Sequence, residues 1–225
     1  MKIGPYKTWL FDCDGVLLDS NAVKTDAFYE LALPFGEDVA DALVVHHRQY
    51  GGVSRFKKVR HLYEDLLERR DAEAEIEAGI EEYGRLVRQR LLECSETPGV
   101  RDFLDAIPEG TYRAVISGGL EEEVRFVLHE RGLANYFDAI YGSPRTKVEA
   151  FEEIGQSQPL GADAIYLGDS RYDYEVATRF GMDFVFLHAF TEFDGWNDYF
   201  ADTSIPAVPD FGDLEMKGVN RLQNE

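Results

Sequence analysis

Four short apolar runs stand out along the chain: Thr8–Phe11 (TWLF), YRAVISGG at 112–119, AIYLGDS at 164–170 and MDFVFLH at 182–188. They are apolar on both faces rather than alternating, which predicts strands of a parallel sheet covered by helices. VRDFLDAI (100–107) and LEEEVRFVLHERGL (120–133) carry helical spacing between them, and NYFDAIYGS (135–143) adds a further short strand. From Pro98 onward helix and strand alternate, the order of a doubly wound α/β sheet.

The stretch 21–94 breaks that alternation. It offers no strand, only helical segments: AVKTDAFYELAL, EDVADALVVHHRQY, SRFKKVRHLYEDLLER and AEAEIEAGIEEYGRLVRQRLLE. PFG, GG and the turn near Asp71 separate them, and ETPGV (96–100) marks the return to the sheet. The predicted fold is therefore a doubly wound parallel, Rossmann-like α/β core over 1–20 and 95–225. A small all-helical domain, 21–94, is inserted after its first strand. No repeat or low-complexity tract is present, and the aromatic, acidic stretch after Phe190, with Pro206 and Pro209, predicts no definite element.

Charge narrows the partners. With 23 basic and 43 acidic residues, the 225-residue chain carries a net charge of −20. That disfavours nucleic acid and anionic membranes, which need a basic footprint. It also means that any phosphate site must be made attractive locally, by a metal, a Lys or Arg, or backbone N–H groups. No stretch has the length of a membrane span and the N-terminus lacks a leader pattern, so the expected location is cytoplasmic. Two cysteines make neither a disulfide framework nor a zinc site; Cys13 and Cys94 read as core residues.

The first strand runs into WLFDCDGVLLDS (9–20), which sets Asp12 and Asp14 two residues apart at a strand end. Asp and Gly also punctuate ordinary turns. Carboxylates beside a buried strand are expensive unless paired, however, and at this spacing both face the same side. Ser117 and Asp169 end two further strands, and Lys147 opens a helix just after another. In open parallel sheets that edge is where ligands bind. Two aspartates and a carbonyl suit Mg²⁺, a hard cation. Asp12 could then attack phosphorus, with Asp14 as proton donor to the leaving oxygen and later proton acceptor from water. Ser117 and the Gly118 amide are short phosphate donors, and Lys147 would neutralise Asp12 and the developing phosphoryl charge.

This ordered set resembles the haloacid dehalogenase superfamily over nearly the whole chain. DCDGVLLDS is similar to its first motif, VISGG to the second, the lysine of SPRTKVEAF to the third and GDSRYD to the fourth. The resemblance implies Asp12 as nucleophile and Asp14 as acid/base. It implies Asp12, Asp169 and the Asp14 carbonyl as Mg²⁺ ligands, with Asp173 behind them holding Lys147 or a metal-bound water. Dehalogenases of the superfamily lack the acidic residue at the Asp14 position, so phosphate chemistry is expected.

The helical insert resembles the cap of the subgroup containing phosphoglycolate phosphatases and β-phosphoglucomutases. Within it, YGGVSRFKK (50–58) resembles the cap loop that reaches the active site, with Gly51 and Gly52 allowing close approach and Arg55 and Lys58 supplying charge. The plainer reading of that loop is a solvated helix start with Ser54 as its N-cap. His46, His47 and His61 have no partner at ligand spacing and read as cap-helix surface. The expected protein is a Mg²⁺-dependent phosphatase, a monomer or homodimer, acting on a small phosphorylated metabolite such as a sugar phosphate or a phosphoglycolate-like acid. A phosphosugar mutase shares every core motif. A non-catalytic binding protein of the same fold is the alternative of another kind, against which the intact Asp12, Asp14, Lys147 and Asp169 set speaks.

Overall fold

The computed structural model describes residues 1–216. Its main sheet has six parallel strands: β2 (Thr8–Phe11), β3 (Tyr112–Leu120), β4 (Ala139–Ser143), β5 (Ala164–Gly168), β6 (Asp183–Leu187) and β7 (Ala207–Val208). They lie in the order β4-β3-β2-β5-β6-β7. A separate two-stranded parallel pair joins β1 (Lys2–Ile3) to β8 (Glu215–Met216). The chain leaves β2 toward β3 and β4, then returns to lay β5 on the other side of β2, placing a topological switch point at β2.

The strand sequences explain the layers. Along β2, Trp9 and Phe11 join one apolar cluster while Leu10 joins another, so successive side chains feed opposite faces. Each face is sealed by helices, and Trp9, Leu10 and Phe11 are fully buried. Burial of one such side chain contributes roughly 1.5–3 kcal/mol, enough to fix the register against a one-residue slip.

Five core helices connect or flank these strands: α5 (Val100–Ala106), α6 (Glu121–Glu130), α7 (Lys147–Ile154), α8 (Arg171–Arg179) and the short α9 (Trp196–Phe200). Two of them begin with reciprocal capping boxes, Thr146 with Glu149 at α7 and Ser170 with Asp173 at α8. Each box satisfies backbone groups that would otherwise be orphaned at a helix start. These two starts carry Lys147 and Asp173, so local capping fixes where both side chains emerge.

Between β2 and β3 the chain is helical: α1 (Asn21–Ala32), α2 (Glu37–Gln49), α3 (Arg55–His61) and α4 (Glu73–Glu93). On α4, buried Ile76, Tyr83, Val87 and Leu91 recur at helical spacing, with Glu73 and Glu75 in the first turn and Arg90 in the last, as the helix dipole favours. The apolar side chains of this insert are continuous with one face of the sheet. The single helix expected over 54–69 is instead α3 followed by a π-helical turn at Leu62–Leu66. The wider turn buries both Leu62 and Tyr63, neighbours that an α-helix would splay 100° apart. The two linkers to the insert run side by side, with Asp19 N–H bonded to Ser95 O at 2.9 Å and Thr97 N–H to Leu17 O at 3.1 Å.

Candidate active site

The strand ends at the switch point bring the sequence-predicted core residues together. Asp12 leaves the end of β2, Ser117 lies on β3, Asp169 follows β5, and Lys147 and Asp173 open α7 and α8. Lys147 Nζ sits 2.9 Å from Asp12 Oδ1 and 2.6 Å from Asp173 Oδ1. Tyr166, on β5, donates its hydroxyl to Asp173 Oδ1 at 2.8 Å and accepts from Lys147 at 3.2 Å. The other Asp173 oxygen accepts from Ser170 N–H at 3.1 Å and Ser170 Oγ at 2.6 Å. Asp173 thus caps its helix and holds Lys147 at once, and its acceptor capacity is spent.

Asp12 is in the opposite state. The contact of its Oδ1 with Lys147 is an ion pair without hydrogen-bond alignment, and no other partner reaches that atom among the described residues. Carboxylate oxygens of Asp12, Asp169 and Asp173 lie within 4.8 Å of one another, all buried. Burial pushes the Asp12 carboxyl up to about 7, against the pull of Lys147, and with the Asp12 charge it raises Asp169 as well. Such crowding favours a proton or a cation between the carboxylates. Burial pulls the Lys147 pKa down, but the Asp12 and Asp173 charges outweigh it and hold the ammonium above the usual lysine range.

Asp14 faces a different partner. Its carboxylate pairs with Lys24 of α1 and accepts from Ser20 Oγ at 2.6 Å; Ser117 Oγ is 3.4 Å away. Partial burial works against its charge, yet Lys24 holds the Asp14 carboxyl below the ordinary carboxylate range. The Asp14 side chain is thus committed to Lys24 and Ser20. Asn21, also on α1, donates to Asp169 Oδ2 at 2.6 Å and to Phe190 O at 2.8 Å. Gly15 has φ +74, and a Cβ there would meet Asp169 Oδ2 at 2.2 Å; only glycine lets this turn close over Asp169.

The helical insert roofs the strand ends, enclosing a cavity of about 390 Å³. Its loop comes very near the sheet: a Cβ on Gly118 would lie 2.3 Å from Gly52 O. Gly52 and Gly118 both line the cavity. Arg55 and Lys58 line it too, but neither is a solvated helix-start residue: they are 4% and 2% exposed. Arg55 makes a bidentate ion pair with Glu123 of α6, in the core, and its Nε has no partner among the described residues. Lys58 contacts His47 Nδ1 at 2.7 Å. The surface reading of His47 is corrected here. It is 8% exposed, packed on Phe28 with ring centroids 4.7 Å apart, and faces the cavity. A two-residue offset from Val45 to His47 places them on different sides of α2, so a polar residue there takes the inward face.

The sequence reading missed Asn21, Lys24, Tyr166 and Glu192. A signal existed for Lys24, which shares a helix stripe with Phe28 and Leu31, all three buried. Glu192 comes from the loop after β6, accepts from Thr25 Oγ1 at 2.5 Å, and no local pattern marks it. No helix of the described residues is long and apolar enough to cross a membrane.

Switch-point carboxylates, a buried lysine and a helical roof between the first two strands of the main sheet define a Rossmann-like hydrolase class. Residues 9–187 match the model for haloacid dehalogenase-like hydrolases, and the chain belongs to that family. Among solved structures it resembles a β-phosphoglucomutase from Clostridium difficile at TM-score 0.75 and 18% identity, covering 94% of each chain. The haloacid dehalogenase-like family protein SP0104 from Streptococcus pneumoniae gives 0.66 at 16% identity, covering 90% of this chain and 93% of that one. The HAD-hydrolase YfnB from Bacillus subtilis, bound to magnesium, gives 0.65 at 18% identity over 93% and 96%. At these identities the likeness is one of fold. No curated protein matches the chain by sequence.

Proposed function

We propose that this chain is a Mg²⁺-dependent phosphatase that moves the phosphoryl group of a small phosphorylated metabolite to Asp12 and then to water. The observation that carries this reading is Asp12 itself: a buried carboxylate 2.9 Å from the Lys147 ammonium, with an oxygen that no hydrogen bond from the described residues occupies. A structural aspartate at that depth would be fully bonded, as Asp173 is.

The donor set fits a hard cation, because it is all oxygen and includes the under-used Asp12. Asp12, Asp169 and the Asp14 carbonyl would hold Mg²⁺, with Asp173 behind them fixing Lys147. When bound, Mg²⁺ supplies charge neutralisation at the phosphoryl oxygens. The residues do the rest. Ser117 and the Gly118 amide receive phosphoryl oxygens, and Lys147 offsets the charge that grows as Asp12 forms its bond to phosphorus. As the ester bond breaks, the leaving oxygen takes the proton of the Asp14 carboxyl. Asp14, then ionised and paired with Lys24, accepts a proton from the water that cleaves the aspartyl-phosphate, which restores the acid for the next turnover. Gly52, Arg55 and Lys58 of the cap face the leaving group, and the roof excludes bulk water.

The test is phosphate release from p-nitrophenyl phosphate and from a panel of sugar phosphates and phospho-acids. Phosphate should appear in step with substrate loss, stop in EDTA and resume with Mg²⁺. Hydrolysis undiminished in chelator at zero metal content would refute the metal reading. Conversion of a sugar 1-phosphate to its 6-phosphate isomer with little phosphate released would make the protein a mutase instead.

A further inference from the structure

Four cations from the helical insert line the cavity: Lys24, Arg48, Arg55 and Lys58. Three have carboxylate partners. Lys24 meets Asp14, Arg55 meets Glu123, and Arg48 Nε lies 3.7 Å from Glu192 Oε1. Lys58 has none. Among the described residues its ammonium touches only His47, at Nδ1 (2.7 Å) and at the carbonyl (3.3 Å), and it lies over the Phe28 ring at 5.7 Å from the centroid. With Lys58 as donor, Nδ1 is the acceptor, so the ring proton of His47 sits on Nε2 and faces Glu192 at 3.6 Å. Glu192 is therefore engaged by Thr25, His47 and Arg48, not by Lys58.

A buried ammonium with two neutral acceptors is an unusual expense in a chain of net charge −20, where carboxylates are abundant. Burial draws its pKa down to about 7, a penalty that an anion would relieve. The third N–H of Lys58 has no acceptor among the described residues, and the group lines the cavity where the leaving group would lie.

On this ground we infer that Lys58 is the specificity-determining residue for a second anionic group, a carboxylate, on the leaving group of the substrate. The inference rests on the phosphatase reading of the same site. One free N–H and one unmatched positive charge suit a monoanion. The other unpartnered donor of the roof, Arg55 Nε–H, belongs to a guanidinium whose charge Glu123 already offsets, and Arg48 faces Glu192, so the roof offers one unmatched charge rather than the two a second phosphate would call for. The preferred substrates are thus phosphorylated hydroxy- or sugar acids rather than neutral sugar phosphates.

The experiment compares substrates that differ only at that group: 3-phosphoglycerate with glycerol 3-phosphate, and 6-phosphogluconate with glucitol 6-phosphate. Fructose 1,6-bisphosphate with fructose 6-phosphate is the bisphosphate arm. Wild type should favour the acid in at least one carboxylate pair by roughly tenfold or more in kcat/KM, carried mainly by KM, the scale of one desolvated charge-assisted contact. Lys58→Met and Lys58→Gln, each checked for a cooperative thermal transition, should bring that ratio to near one. A preference confined to the bisphosphate, or a carboxylate preference that both variants keep, would overturn the inference while leaving the phosphatase reading intact. Equal rates within every pair for wild type would overturn it too. Failure to hydrolyse p-nitrophenyl phosphate or any of these esters would instead remove the phosphatase reading on which it rests.

Discussion

The floor of the cavity and its roof are built differently from the same kinds of side chain. In the floor, Asp12, Lys147, Asp169 and Asp173 come from separate strand ends and helix starts, and none is more than 5% exposed. Lys147, Tyr166, Asp173 and Ser170 form one closed hydrogen-bonded group. In the roof, cations project from α1, α2 and α3 and, Lys58 excepted, are matched one by one, partly by carboxylates of the core such as Glu123 and Glu192. The floor over-determines Lys147 and Asp173 and leaves Asp12 open beside them, as a site that handles the invariant phosphoryl group requires. The roof leaves capacity open, which is where discrimination between leaving groups can reside. The two halves meet at Lys24 and Asn21, one turn of α1 that grips Asp14 and Asp169 from above.

The comparison breaks most sharply at Asp12. Asp12→Asn keeps the shape but not the nucleophile, and turnover should fall by roughly a thousandfold or more with the thermal transition retained. A variant keeping more than about a tenth of the wild-type rate would end the aspartyl-phosphate mechanism. Asp173→Ala should act on the floor as a whole. It leaves Tyr166 and the α8 cap without their acceptor and takes one of two anions from Lys147, so folding stability should drop by about 3 kcal/mol in a denaturant titration. Combined with Tyr166→Phe the losses should be non-additive, because both act on one network. Additive losses would show that the floor is a set of independent contacts.

The roof should respond more mildly. Arg55→Ala should lower kcat/KM on the best leaving group by roughly tenfold to a thousandfold and change p-nitrophenyl phosphate much less. Glu123→Gln, which leaves Arg55 in place with a weaker partner, should lose less than Arg55→Ala. Equal losses from the two variants on both substrates would assign Arg55 to holding the insert on the core. The smallest effect concerns stability and pH. Unfolded, Lys58 keeps its proton up to an ordinary pKa near 10.5; folded, only up to about 7. Between those values the unfolded chain binds the extra proton, so this group makes stability rise with pH across that window. Lys58→Met should therefore melt above wild type at about pH 6, with a lead that shrinks as pH climbs past about 7. A lead that stays constant would return Lys58 to its ordinary pKa.

The same contrast explains what was legible in the sequence. Each floor residue ends a short apolar strand or opens the helix after it, so Asp12, Ser117, Lys147 and Asp169 could be read from local punctuation alone. Roof contacts depend on how helices stack. His47 looks like a surface residue until α1 brings Phe28 against it, and Glu192 sits in a loop whose sequence carries no periodicity. Lys24 lay between these cases, since its apolar helix stripe was visible but its partner Asp14 was ten residues away across a linker. The π turn after α3 and the β1–β8 pair were hidden for a similar reason. One is set by packing of Leu62 and Tyr63, the other joins the two ends of the described chain.

The paired linkers to the insert have a mechanical consequence. Leu18 and Glu96 bridge antiparallel, with Asp19 bonded to Ser95 and Thr97 to Leu17, so the outgoing and returning strands form one seam. Two tethers joined in this way cannot twist or stretch independently. A roof motion that kept the seam intact would be confined to a swing about it, like a door on one hinge. Such a swing would part Gly52 from Gly118, Arg55 from Glu123 and Lys24 from Asp14, so the contacts over the site and the Lys24–Asp14 pair would open together.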